Sequence, residues 1–340
     1  MHASMKTAWL IALVLLTACG GSPAAAQPTP SPPKAGPLAD TWTWDGAAWH
    51  RATAAGPSAR YSAGLAYDAA RHVYVLFGGE TIKGTSDETW TWDGRAWKQM
   101  SPKHKPPARR TAGMAYDPAH QVVLLYGGLV PDQAEGSEEG DTWSWDGQDW
   151  TEVDPGPGPP GRRQGQTLIT AGDRALMFGG HSANATYYGD AWSWNGGAWV
   201  RVDIGADPPG RGNSAAVWDA ADSLLLVFGG SGFNATAGPG AQGTPLSDAW
   251  ALSGGKWSEL HGSGPGRLAY ANAMWDVAGK RAIVLLGMPC PDPSGAAWTW
   301  DGKAWAQLAN PGITARWGAV LAQAPDGKAL LFGGSNQKGC

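Results

Sequence analysis

Apolar residues fall in short blocks along this chain, each closed by glycine, proline or aspartate. One stretch shows the pattern. Tyr61–Tyr67 alternates loosely between small and apolar residues and predicts a strand, a, and Asp68–Arg71 makes a turn. His72–Phe77 is almost continuously apolar, which predicts a second strand, b, buried on both faces. Gly78-Gly79 ends it, and a variable loop runs to Asp87. Thr89–Trp92 predicts strand c. Asp93-Gly94 signals a two-residue type I′ hairpin, and Trp97–Met100 predicts strand d. A proline-rich loop then leads to Arg109, where the pattern starts again.

The pattern recurs down the chain. Strand b returns as VLFGG (75–79), LLYGG (124–128), LMFGG (176–180), LVFGG (226–230) and LLFGG (330–334), with a degraded copy at Leu286-Gly287-Met288. Strands c and d return as W-x-W-[DN]-G-x-x-W at Trp42–Trp49, Trp90–Trp97, Trp143–Trp150, Trp192–Trp199 and Trp298–Trp305. At Trp250–Trp257, Leu252 replaces the middle tryptophan. The period is about 50 residues, in the range of propellers, solenoids and arrays. The double-glycine strand and the tryptophan segment resemble the kelch repeat. The resemblance covers residues 40–335 and implies an all-β propeller.

The chain opens with strands c and d (Thr41–Ala52) and closes with strands a and b (Trp317–Phe332). Six a–b pairs and six c–d pairs then make six blades. The last blade combines the C-terminal a–b pair with the N-terminal c–d pair, which removes free sheet edges. The tryptophans are expected to fill the wedges between sheets, with carbohydrate stacking as the competing role.

The N-terminus is a different kind of segment. Lys6 precedes an apolar run, Ala8–Leu16, too short to span a bilayer. Leu16-Thr17-Ala18-Cys19 resembles the lipobox of bacterial lipoproteins. That resemblance implies a signal peptide at 1–18, lipidation of Cys19 and an extracytoplasmic protein anchored to a bacterial cell membrane through lipid alone. An ordinary secretory signal is the other reading. Residues 19–38 are rich in Pro, Ala and Gly and read as a tether, and 39–340 as the propeller. Cys290 and Cys340 form an even pair for an oxidising compartment. A disulfide between them is the expectation, and two free thiols the alternative.

Composition narrows the function without naming it. Of 340 residues, 50 are Gly, 26 Pro and 21 Trp, and the formal net charge is −4. No block of Lys and Arg marks a nucleic-acid surface. In a four-stranded meander the b–c and d–a loops share one face. Here those loops are the variable ones, so that face is the candidate binding face. Arg60, Arg109, Arg162, Arg211, Arg267 and Arg316 stand at the starts of the a strands on it. They form either a ligand-binding ring or a set of ion pairs between blades with Asp40, Glu88, Asp141, Asp190 and Asp248. Blade five has Ala296 at the acid's position. Tyr187 and Trp317 are the leading candidates for stacking on a ligand, with Tyr188 and Phe233 nearby. The acidic stretch Asp132–Asp141 lacks EF-hand spacing and reads as a solvated loop rather than a metal site.

No nucleophile elbow, metal-ligand histidine spacing or cofactor motif occurs. A monomeric binding module for a protein or glycan is therefore the leading expectation. The alternatives are a sugar mutarotase-like enzyme working at an arginine-lined axial pocket, and a purely structural role in an envelope complex.

Overall fold

A computed structural model describes residues 35–131, 138–154, 160–182, 184, 186–202, 207–232, 243–262, 264–285, 287–288, 297–308 and 312–337. Cys19 with the lipobox-like segment, most of the tether, Phe233, Cys290, Ala296 and Cys340 lie outside them.

The described residues are all-β, with no helix among them. They form six four-stranded antiparallel sheets, the meander expected of propeller blades, and two small three-stranded sheets. Gly64–Asp68, Val73–Phe77, Thr89–Trp92 and Trp97–Gln99 are strands a to d of the first sheet in sequence. One sheet joins the two ends of the chain. Thr41–Trp44 pairs on one side with Trp49–Ala52 and on the other, antiparallel, with Ala329–Phe332, placing Thr43 opposite Leu330.

Strand b is the buried centre of each sheet. Val75, Leu76 and Phe77 are at most 1% exposed, and Val123, Leu124, Leu125 and Tyr126 are equally enclosed. The tryptophans join the sheets to one another. In five units the last indole of the motif meets the aromatic ring that ends strand b of the preceding sheet. These pairs are Trp97 with Phe332, Trp150 with Phe77, Trp199 with Tyr126, Trp257 with Phe178 and Trp305 with Phe228, with centroids 4.8–5.4 Å apart. The sixth, Trp49, packs in one cluster with Leu285, the non-aromatic end of the degraded strand b. Burying indoles this large against aromatic partners is a main source of packing energy.

Two expected elements differ in detail. Strand a does not run unbroken from Tyr61. Arg60–Tyr61 pairs instead with Glu80–Thr81, and Ser62 turns the chain through φ +54° before strand a begins at Gly64. The c–d turn is not type I′. Trp92 opposes Trp97, so four residues form the loop, and of these Gly94 alone has positive φ. Asp93 Oδ1 accepts from the Arg95 and Ala96 amides, both at 2.8 Å, so a side chain organises the turn.

The double glycine is explained at the junction between sheets. Gly79 N–H donates to the Arg109 carbonyl of the next unit at 2.9 Å. Gly78 sits at φ +70°, and a Cβ there would lie 2.4 Å from the same oxygen. Only glycine meets both conditions.

Candidate functional site

The arginines are built into the sheets. Arg60, Arg109, Arg211 and Arg316 are at most 3% exposed. Each donates to the first glycine carbonyl after strand b: Gly78, Gly127, Gly229 and Gly333. Each also pairs with the acid before strand c of its own sheet: Glu88, Asp141, Asp248 and Asp40, at 2.5–2.7 Å. One side chain thus ties the entry of strand a, the end of b and the start of c. The pairing expected between blades occurs within each one. The carboxylates take a further bond from the first tryptophan of each motif, as in Trp42 to Asp40 and Trp90 to Glu88. Burial alone would raise the Asp40, Glu88 and Asp248 carboxyls. The guanidinium and indole donors outweigh it and hold all three below the ordinary carboxylate range.

Two of the six arginines are corrected. In the third sheet the buried guanidinium belongs to Arg163. It pairs with Asp190 at 2.6 Å, donates to Pro160 O and lies under the Tyr188 ring. Arg162 is 65% exposed and 3.8 Å from Glu139. In the fifth, Leu268 takes the arginine's place and Arg267 is exposed. Two facts mark Leu268 as the equivalent residue. Its carbonyl accepts from Gly230 N–H, as the Arg109 carbonyl accepts from Gly79, and the left-handed Tyr270 follows two residues later. Arginine and acid are lost together there, since Ala296 replaces the acid. The axial ring of six ligand-facing arginines is therefore not what the fold builds.

The register that identifies these positions comes from a second set of residues. Ser62, Thr111, Gly165, Asn213, Tyr270 and Gly318 each stand two residues after the arginine position, all with φ between +54° and +64°. Five backbone hydrogen bonds link members across the sheet boundaries. Thr111 donates to Ser62, Gly165 to Thr111, Asn213 to Gly165 and Tyr270 to Asn213. Ser62 donates to Gly318 at 2.7 Å, joining the first unit to the last. All six line a cavity of about 190 Å³, with Gln166 and Asn272 among its polar residues. A second cavity of about 360 Å³ lies at the a–b turn end, lined by Tyr67, Ile169, Trp218, Trp275 and Val277.

The residues between the arginine position and this left-handed position carry the chemistry of the mouth. Tyr61, Arg110, Gln164, Gly212, Ala269 and Trp317 each follow the arginine position. Each pairs with the residue after the double glycine: Glu80, Leu129, His181, Ser231, Met288 and Ser335. Antiparallel partners project to the same side, and each member of the first set directly precedes a residue that lines the cavity of about 190 Å³.

One part of that opening is aromatic. Trp317 lies against Tyr61 at 4.8 Å and Tyr270 at 5.8 Å, both edge to face, and donates to Gln337 O at 3.2 Å. Tyr187 stacks on His181 at 5.3 Å. The rest is polar. Arg110 pairs with Glu80 at 3.2 Å, and Glu80 also accepts from Thr85. Thr111 donates to Gln164, and Gln164 donates to Glu138, which is 3% exposed. Burial lowers the His181 imidazole, against an opposing pull from Glu138, so its neutral form is favoured. Burial likewise raises the Tyr270 hydroxyl, with Tyr187 adding to the rise and Arg110 opposing it.

Both aromatic candidates from the sequence, Tyr187 and Trp317, belong to this mouth. Tyr61, Glu80, Arg110, Gln164, His181 and Tyr270 were missed. The signal for the first five is positional: the residue after each buried arginine, and the residue after each double glycine. The acidic stretch divides. Glu138 bonds Gln164, Asp141 holds Arg109 and Glu139 lies near Arg162, while Asp132 and Glu135 fall outside the described residues. Among the described residues no group of His, Cys, Asp and Glu is arranged to hold a metal ion.

The model of the KLHDC2/KLHL20/DRC7 Kelch-repeats domain matches residues 90–287, well over half of the chain. No curated protein matched the chain. With the repeated four-stranded sheets and their double-glycine junctions, that match shows that the chain belongs to this Kelch-repeat family.

Proposed function

We propose that the chain is an exported, lipid-anchored, six-bladed propeller that binds its partner through the mouth on the b–c/d–a side. The six four-stranded sheets, the pairing of Thr41–Trp44 with Ala329–Phe332 and the bond from Ser62 to Gly318 support a closed circle. The Kelch-repeat fold is typically an interaction module. The lipobox-like Cys19 and the proline-rich tether support display on a membrane surface.

One observation carries the choice of site. The conspicuous charges, the buried arginines, are spent inside the sheets, whereas half-buried Trp317, Arg110 and Tyr187 gather at one opening. Small-molecule and partner sites favour such concave surfaces, with a few convergent polar groups among aromatics. The mouth's carboxylates already serve as acceptors, Glu80 for Arg110 and Thr85 and Glu138 for Gln164. That arrangement suits holding a ligand more than transferring protons.

Immobilised mature chain exposed to a bacterial envelope extract provides the test. Wild type and Trp218→Ala, altered at the far end of the axis, are expected to retain the same component, and Trp317→Ala to lose it. Equal retention by Trp317→Ala would place binding elsewhere.

A further inference from the structure

We propose that the mouth recognises a neutral saccharide. This inference rests on the mouth being the binding surface and adds the chemistry of what enters it. A pyranose ring has an apolar C–H face and a rim of hydroxyls that both donate and accept. Its receptor needs an aromatic platform on one side and planar polar groups on the other. The mouth is divided in that way. Trp317 is pinned by Tyr61, Tyr270 and the Gln337 carbonyl, which fixes the indole before any ligand arrives. Around the rest of the opening stand Arg110, Gln164 and Glu80, all planar and all hydrogen-bonding.

The charges select against acidic ligands. Arg110 is paired with Glu80, and Glu138 adds a second carboxylate whose hydrogen-bond partner is the uncharged Gln164. Among the described residues, Arg110, Glu80 and Glu138 together leave no net positive charge to attract a phosphate, a nucleic acid or an acidic sugar. Arg110 still has N–H donors to offer, since the Glu80 contact uses one nitrogen of the guanidinium. Those donors suit hydroxyl oxygens. The cavity of about 190 Å³ at the level of the left-handed residues is small, and Thr111, Asn213 and Tyr270 line it. It has room for a single ring and polar groups to meet the hydroxyls that point inward. An extended polypeptide would lie across the mouth without using it.

An array of neutral and acidic saccharides, followed by titration calorimetry of the mature chain with the best neutral binder, tests this directly. Thermal melts confirm that each variant is folded. Binding of a neutral saccharide is expected, at least tenfold weaker in Trp317→Ala and weaker in both Tyr61→Ala and Arg110→Ala. Trp218→Ala should match wild type. Retention of acidic saccharides alone, or no neutral binder at millimolar concentration, overturns the proposal. A polypeptide captured from envelope extract and lost in Trp317→Ala would also overturn it, while leaving the mouth as the binding surface. A saccharide bound equally well by Trp317→Ala, Tyr61→Ala and Arg110→Ala would overturn both readings.

Discussion

The indole N–H of Trp97 leaves its own sheet and donates to Thr41 Oγ1 of the preceding one, at 2.9 Å. Trp150 does the same to Thr89, and Trp199 to Thr142. Trp257 occupies the same position in the next sheet, but Ala191 stands where threonine is needed. The two side chains pack together, and the buried indole nitrogen of Trp257 has no acceptor among the described residues.

Ala191→Thr should therefore stabilise the chain by about 1 kcal/mol, the usual net value of an intramolecular hydrogen bond. Thr89→Ala should cost ~1–3 kcal/mol, because it orphans Trp150. Urea midpoints of the two variants would move in opposite directions. A fall for Ala191→Thr would show that the pocket has no room for the hydroxyl.

The fifth sheet suggests a double substitution. Arg109→Leu alone leaves the Asp141 carboxylate half-enclosed without its cation, at a cost of about 3–5 kcal/mol. Arg109→Leu with Asp141→Ala copies the Leu268 and Ala296 pair and should recover most of that loss. Denaturant unfolding of both singles and the double gives the coupling energy. No recovery in the double would mean that the carbonyl bond from Arg109 to Gly127, rather than the ion pair, holds the corner together.

Stability should fall in acid through the same corners. The Asp40, Glu88 and Asp248 carboxyls are held below their ordinary range in the folded chain, so the unfolded chain binds protons first. Their contribution is complete above the unfolded carboxylate range, near pH ~4, and is lost as pH drops through the lower folded values. Asp248→Asn should be less stable at neutral pH and show a flatter loss on acidification. A series of urea midpoints from pH 7 down to about 3 checks the slope.

Gly78→Ala should destabilise by roughly 3 kcal/mol or more, combining a left-handed backbone with a Cβ 2.4 Å from Arg109 O. Gly197→Ala should be close to neutral, since nothing lies within 4 Å of its Cβ. Thermal melts of the pair separate a junction glycine from a turn glycine.

The repeat itself was legible because it depends on tryptophan and glycine, residues whose bulk or freedom nothing else supplies. The arginine register was legible only in part. Arg162 and Arg163 are adjacent, and the choice between them is made by Gly165, the left-handed residue two positions beyond Arg163. That position accepts Ser, Thr, Gly, Asn or Tyr, so it leaves no residue signature. Apart from Tyr187 and Trp317, the mouth escaped for a related reason. Tyr61, Arg110, Gln164 and Trp317 share a backbone location and no chemistry, which is how a repeat fold carries a specific site on a uniform scaffold.

Amide hydrogen exchange in Thr41–Trp44 tests the circle most directly, because that strand pairs with Ala329–Phe332 at the far end of the chain. Exchange in Thr41–Trp44 as slow as in the central strand Val122–Leu129 is the expected result. Exchange at the rate of unstructured peptide, with Val122–Leu129 still protected, would show an open array and contradict the closed propeller.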